Sequence, residues 1–252
     1  MAVTPELFQF EFSHFNEKAR WAFDWKRVPH RRQSYLPGFH MLPIMRLSGQ
    51  RAVPVVRVDG RVIAGSASIV DWLEGVRPSP PLYPEDPALR REALDLQRWL
   101  DDEVGPAARR AFFFDLLPDG DYAARCFTAD RGGAVPAIFR AGFPVTRIIM
   151  KRDMQIDGAG AERGRDVTGQ ALALVAERGA RTGYLVGDRF SVADLTAAAL
   201  LSVVVFPPES PVVLPEPRAE GARRWLARWA ALPGTAWVAD TYRRHRGTSS
   251  AT

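Results

Sequence analysis

The chain has 252 residues, 46% hydrophobic and 25% charged, with a net charge of +5 and one cysteine. That length accommodates one large or two ordinary domains with a sizeable core, and the composition is that of a soluble globular protein. No stretch approaches the ~20 apolar residues of a membrane helix, the start lacks a secretory signal pattern, and lone Cys126 excludes an internal disulfide framework. A cytoplasmic location and no membrane partner are therefore expected.

The charge is uneven. Residues 1–84 carry eleven Lys and Arg against seven Asp and Glu, whereas the remainder is nearly neutral. A basic first part suits an anionic ligand. Nucleic acid is not expected, because the basic residues are scattered singly and Arg31-Arg32 and Arg243-Arg244 are too short for a phosphate-tracking stripe. No metal is expected either: His14, His30, His40 and His245 show no paired ligand spacing.

In chain order, Leu7–Phe10 predicts a strand and Phe15 to about Arg27 a helix. Ser13 and Asn16, in the turn between them, are both good N-cap residues. Free N–H groups and the helix dipole make such a start a ready anion site, although the plainer reading is that Ser13 only caps the helix. Ala19, Ala22, Phe23 and Lys26 share a face expected to pack on a sheet, with Trp21 and Trp25 on a neighbouring face turned toward the second part. Gln33–Leu36 reads as a second strand. Pro37-Gly38 breaks it, Pro43 starts a short helix through Leu47, and His40 lies in this irregular stretch. Val53-Pro54 precedes a strand at Val55–Val58. Asp59-Gly60 turns it into Arg61–Ala64, and Gly65-Ser66 opens a third helix. The order βαβ then ββα is a thioredoxin-like pattern.

These motifs, in this order, resemble the cytosolic glutathione transferase family, in its Ser type. Residues 5–77 carry the resemblance closely; the remainder matches in length and helical character. It implies an α/β thioredoxin-like N-terminal domain followed by an all-α domain. The boundaries read as 1–77 for the glutathione-binding domain, 78–87 for a proline-rich linker, and 88–252 for the helical domain contributing the electrophile pocket. It also implies glutathione as co-substrate, a small hydrophobic electrophile, and a homodimer.

The second part reads as helices at Ala88–Val104, interrupted by Gly105-Pro106 and resumed to Leu117, then at Asp121–Ala129, Val135–Met154, Glu162–Arg178, Val192–Val205, Ala219–Ala231 and Thr235–His245. Ser191-Val192-Ala193-Asp194 is a capping-box variant that starts a buried helix. Phe112-Phe113-Phe114 surrounds its helix, so at least one ring faces another element or a cleft. The tail from Gly247 is expected to fray.

Mapped onto the resemblance, Ser13 would donate to the thiolate, with Asn16 orienting it or adding a contact. His40 would meet the glycine carboxylate, with Gln50 and Arg51 as competing candidates and a surface histidine as the bland alternative. The Val53 backbone would pair the cysteinyl unit if Pro54 is cis, and Ser66 would take the γ-glutamyl carboxylate. Gly65 departs from the family, which has Glu, Asp or Gln there, so the ammonium group loses a partner. Candidates for the electrophile pocket are Phe12, Arg98, Asp102, Arg109, Phe112 and Phe113. Disulfide exchange is discounted because no Cys stands at Ser13 or Asn16. The rival reading is a transferase-fold binding or regulatory protein that no longer uses glutathione, and Gly65 favours it.

Overall fold

The computed structural model describes residues 3–252. Its sheet is built from β1 (Glu6–Gln9), β2 (Arg31–Ser34), β3 (Val55–Val58) and β4 (Arg61–Ala64), in the order β2-β1-β3-β4. β1 runs parallel to β2, with Leu7 opposite Arg32, and antiparallel to β3, with Leu7 opposite Val56. Alternation explains the faces of β3: Val56 and Val58 join the main core, while Arg57 points outward to an ion pair with Glu6. The helices of this part are α1 (His14–Trp25), α2 (Met41–Ser48) and α3 (Ser66–Val76).

The remaining described residues add helices and no strand. They form α4 (Pro87–Trp99), α5 (Gly105–Leu116), α6 (Gly120–Phe127), α7 (Val135–Asp153), α8 (Gly158–Thr182), α9 (Val192–Leu201), α10 (Glu220–Trp229) and α11 (Pro233–His245). The expected break at Gly105-Pro106 is corrected. A π-helical turn, Leu100–Val104, joins α4 to α5, and Pro106, which has no N–H to give, sits in the first turn of α5. Gly105 also lets α1 approach, since a Cβ there would lie 2.6 Å from the Phe15 ring.

α1 is the pivot of the molecule. Trp21 stacks on Phe190 and meets Tyr242, and Trp25 meets Phe190, so the two tryptophans face the helical part as expected. The composition of α1 and its C-cap Lys26 hid a second feature: Glu17, Lys18, Arg20, Asp24 and Lys26 are all buried. Each has a partner, as buried charge requires. Lys18 pairs with Asp101 at 2.6 Å, Arg20 with Glu17 at 2.9 Å, and Lys26 with Glu74. Arg246 binds both Glu17 (2.6 Å) and Asp24 (2.9 Å).

That network also overturns the expected fraying of the tail. Ser250 donates from its N–H to Asp24 at 2.7 Å, Thr252 N–H donates to the His30 carbonyl at 3.0 Å, and Ala251 bridges His30 in parallel beside β2. Small polar residues supply the donors that a buried Asp24 carboxylate needs. The proline-rich stretch is likewise pinned, because the Glu74 carboxylate accepts the N–H groups of Leu82 and Tyr83.

Candidate functional site

The loop from β1 to α1 places Ser13. Its oxygen accepts the N–H of Asn16 at 3.4 Å, so Ser13 is the N-cap. Its own hydroxyl proton has no acceptor among the described residues, and Ser13 lines an open cleft. Capping and donation are thus compatible, because the cap uses a lone pair and leaves the proton free.

Arg20 holds this loop in place, and the linear sequence did not reveal it. Its guanidinium donates to the carbonyls of Phe10 (3.1 Å), Glu11 (3.2 Å) and Ser13 (3.5 Å), and to Gln9 Oε1 (2.9 Å). The available signal was Glu17 three residues earlier: an Arg on a buried helix face needs an acid in register. Asn16 departs from expectation. Its side chain is fully buried, has no partner and does not line the cleft; only its backbone touches Ser13.

The cleft has about 270 Å³ of space between the first part and the helices. One wall carries Phe10, Phe12, Ser13, His14, Phe15, His40, Arg51 and Val53; the other carries Arg109, Phe112, Phe113, Phe127, Phe206 and residues of α7. The aromatic wall is continuous, with Phe12 stacked on Phe206 at 6.1 Å and Phe113 on Phe127 at 5.8 Å. The candidates Arg98 and Asp102 are elsewhere: both are exposed, and Arg98 pairs with Asp95.

The Val53-Pro54 peptide is cis, and no hydrogen bond among the described residues uses the Val53 N–H or C=O. Gly65 N–H donates to the Pro54 carbonyl at 2.9 Å, which brings the start of α3 beside Val53. Ser66 is buried at that start, but neither it nor Gln50, Pro54 or Gly65 lines the cleft itself. Gly65 has φ +92° and ψ 144°, with open space where a Cβ would be. The backbone there demands glycine, which accounts for the absence of an acid. Gly65→Ala should therefore lower stability by about 1–3 kcal/mol through backbone strain alone, read from urea unfolding midpoints.

His40 packs edge-on against Phe10 at 4.6 Å, and its enclosed Nδ1 has no partner. Burial lowers its pKa, opposed in part by the Arg51 backbone. His14 is more extreme. Burial, then the nearby Arg109 charge, bring it down to about 3, so the ring is neutral at neutral pH. The unfolded chain gains that proton below about 6.5, so His14 contributes a loss of stability as pH falls from about 6.5 toward 3. A His14→Leu variant should show a shallower decline of unfolding midpoint over that window than the wild type. Cys126 is buried, and its thiol is pushed up to about 12 by desolvation, far from a reactive thiolate.

The family model described as glutathione S-transferase, N-terminal domain, matches residues 7–81, and that described as glutathione S-transferase, C-terminal domain, matches residues 158–228. FtsZ-localized protein A of Caulobacter vibrioides (strain NA1000 / CB15N) is 24% identical over 209 residues, which span 81% of this chain and 78% of that protein. Two solved structures share the fold. One is a theta class glutathione S-transferase from Xanthomonas axonopodis pv. citri with glutathione bound (20% identity, 98% of this chain and 99% of that one, TM-score 0.58). The other is the beta-etherase LigF of Sphingobium sp. strain SYK-6 (18% identity, 96% and 100%, TM-score 0.62). With its thioredoxin-like sheet and helical second part, the chain belongs to the glutathione S-transferase family.

Proposed function

We propose that this protein is a glutathione-dependent transferase that holds the glutathione thiolate at the start of α1 and directs it at a small hydrophobic electrophile in the aromatic cleft. One observation carries the reading: Ser13 caps α1 through its oxygen and keeps its proton for the cleft.

The energetics are sufficient. A free thiol has a pKa of about 8.5, and lowering it by two units takes about 2.7 kcal/mol of preference for the thiolate. A hydrogen bond to a charged group supplies about 1.5–3 kcal/mol, and a helix N-terminus up to about 2 more. The thiol proton leaves to solvent; sulfur then bonds the electrophilic carbon as the carbon–leaving-group bond breaks. The unpaired Val53 backbone supports a role in pairing the cysteinyl unit. Ser66 would take the γ-glutamyl carboxylate at the start of α3, and His40 or Arg51 the glycine carboxylate. Asn16 acts in this reading only through its backbone, and the enzyme works as a homodimer.

A second reading has its own support. Gly65 offers no side chain to the glutathione ammonium, and the Caulobacter relative is named for localisation with FtsZ rather than for a reaction. On that reading the chain is a transferase-fold binding protein without glutathione. Calorimetric titration with glutathione, followed by an aryl halide conjugation assay, separates the two. Heat of binding with turnover supports the transferase; no heat at millimolar glutathione leaves the binding protein.

A further inference from the structure

Arg109 enters the cleft from α5, with Phe112 and Phe113 one turn further along the same helix. Its guanidinium lies over the Phe15 ring, 5.6 Å from the centroid. The buried cations of α1 all have carboxylate partners or carbonyl cages. Arg109 has neither. Among the described residues it forms no ion pair or hydrogen bond, and its Nε is enclosed without an acceptor. His14, beside it, is neutral and supplies no charge. Asp153 of α7, the carboxylate in the cleft lining, forms no ion pair with it. Burial lowers the Arg109 pKa to about 10, which still leaves it a cation at neutral pH.

A partly buried cation without a counterion, its Nε enclosed, is costly to keep, and a fork of N–H donors beside aromatic rings has a natural complement. We propose that Arg109 receives a carboxylate on the second substrate, whose aromatic body stacks in the phenylalanine-walled part of the cleft. The substrate class is therefore aryl or arylalkyl carboxylates rather than uncharged apolar electrophiles. The proposal rests on the transferase reading for the fate of this molecule, but its binding is measured without glutathione.

The experiment titrates the full chain with naphthoate and, separately, with naphthylmethanol, which has the same ring system and no charge. Wild type is expected to bind naphthoate at least about tenfold more tightly than the alcohol. Arg109→Met is expected to abolish that preference while holding alcohol affinity within about threefold, and Arg109→Lys to retain part of it. Equal affinities in wild type, no naphthoate binding at millimolar concentration, or a preference surviving in Arg109→Met would each overturn the proposal. So would a loss of glutathione affinity beyond about tenfold in Arg109→Met, which would assign the cation to glutathione instead. If Arg109→Met does not fold, Arg109→Lys decides the matter by whether it loses at least about threefold in naphthoate affinity. A carboxylate preference without any glutathione binding leaves this site standing and removes the transferase reading; glutathione turnover without the preference does the reverse.

Discussion

Replacing Ser13 with alanine is expected to cut conjugation turnover about 10- to 100-fold while glutathione affinity stays within about threefold, because one charge-assisted hydrogen bond is worth about 1.5–3 kcal/mol. The split arises from where the hydroxyl acts. It meets the sulfur, and it matters most once the sulfur carries charge, whereas the rest of the tripeptide is held by other groups. The same change removes the cap on Asn16 N–H and so costs about 0.5–2 kcal/mol of stability. Ser13→Gly separates the two roles, since glycine at an N-cap costs only a few tenths of a kcal/mol yet donates nothing. Both variants should lose turnover alike while differing in urea midpoint. Turnover that persists in both would leave Ser13 as a cap and nothing more.

Asp194→Ala is expected to destabilise the protein by about 3 kcal/mol, read by urea unfolding. The buried carboxylate accepts three hydrogen bonds, from Leu185 N–H (2.8 Å), Ser191 N–H (2.9 Å) and the Ser191 hydroxyl (2.9 Å). Alanine leaves two buried backbone donors with no partner, each costing about 1–3 kcal/mol. The helix it starts, α9, is buried at every position, so no solvent takes over. Burial outweighs the three hydrogen bonds and raises the Asp194 pKa to about 6, so the native state holds its proton more tightly than the unfolded chain. The group therefore contributes a loss of stability as pH rises from about 3.8 to about 6. Asp194→Asn should remove that slope and cost less than alanine.

Local chemistry made the first part legible. Asp59-Gly60 forces a hairpin, Val53-Pro54 marks the strand before it, and Ser13 needs no tertiary information to be recognised as a cap. The capping box at Ser191 was equally plain. Long-range pairing was not. Nothing near Asp24 announces that Ser250 and Arg246 return to it from the far end of the chain. Nor does Arg20 reveal that it grips the loop carrying Ser13, since its partners are carbonyls, which every residue has. The π turn escaped for a related reason: Gly105-Pro106 reads as a stop, whereas in the fold Pro106 falls in the first turn of α5, where its missing N–H is not needed. At the site, the helix pattern alone places Arg109 near the cleft, but its isolation from any carboxylate is a property of the fold.

A sulfur anion steadied where α1 begins has a direct optical signature. Titrating the thiolate absorption of bound glutathione against pH reports the acidity of that sulfur on the protein. We predict a midpoint near 6.5, about two units below the free thiol, moving back toward 8.5 in Ser13→Ala. A bound thiol that titrates near 8.5 in the unaltered protein would contradict the account at its centre.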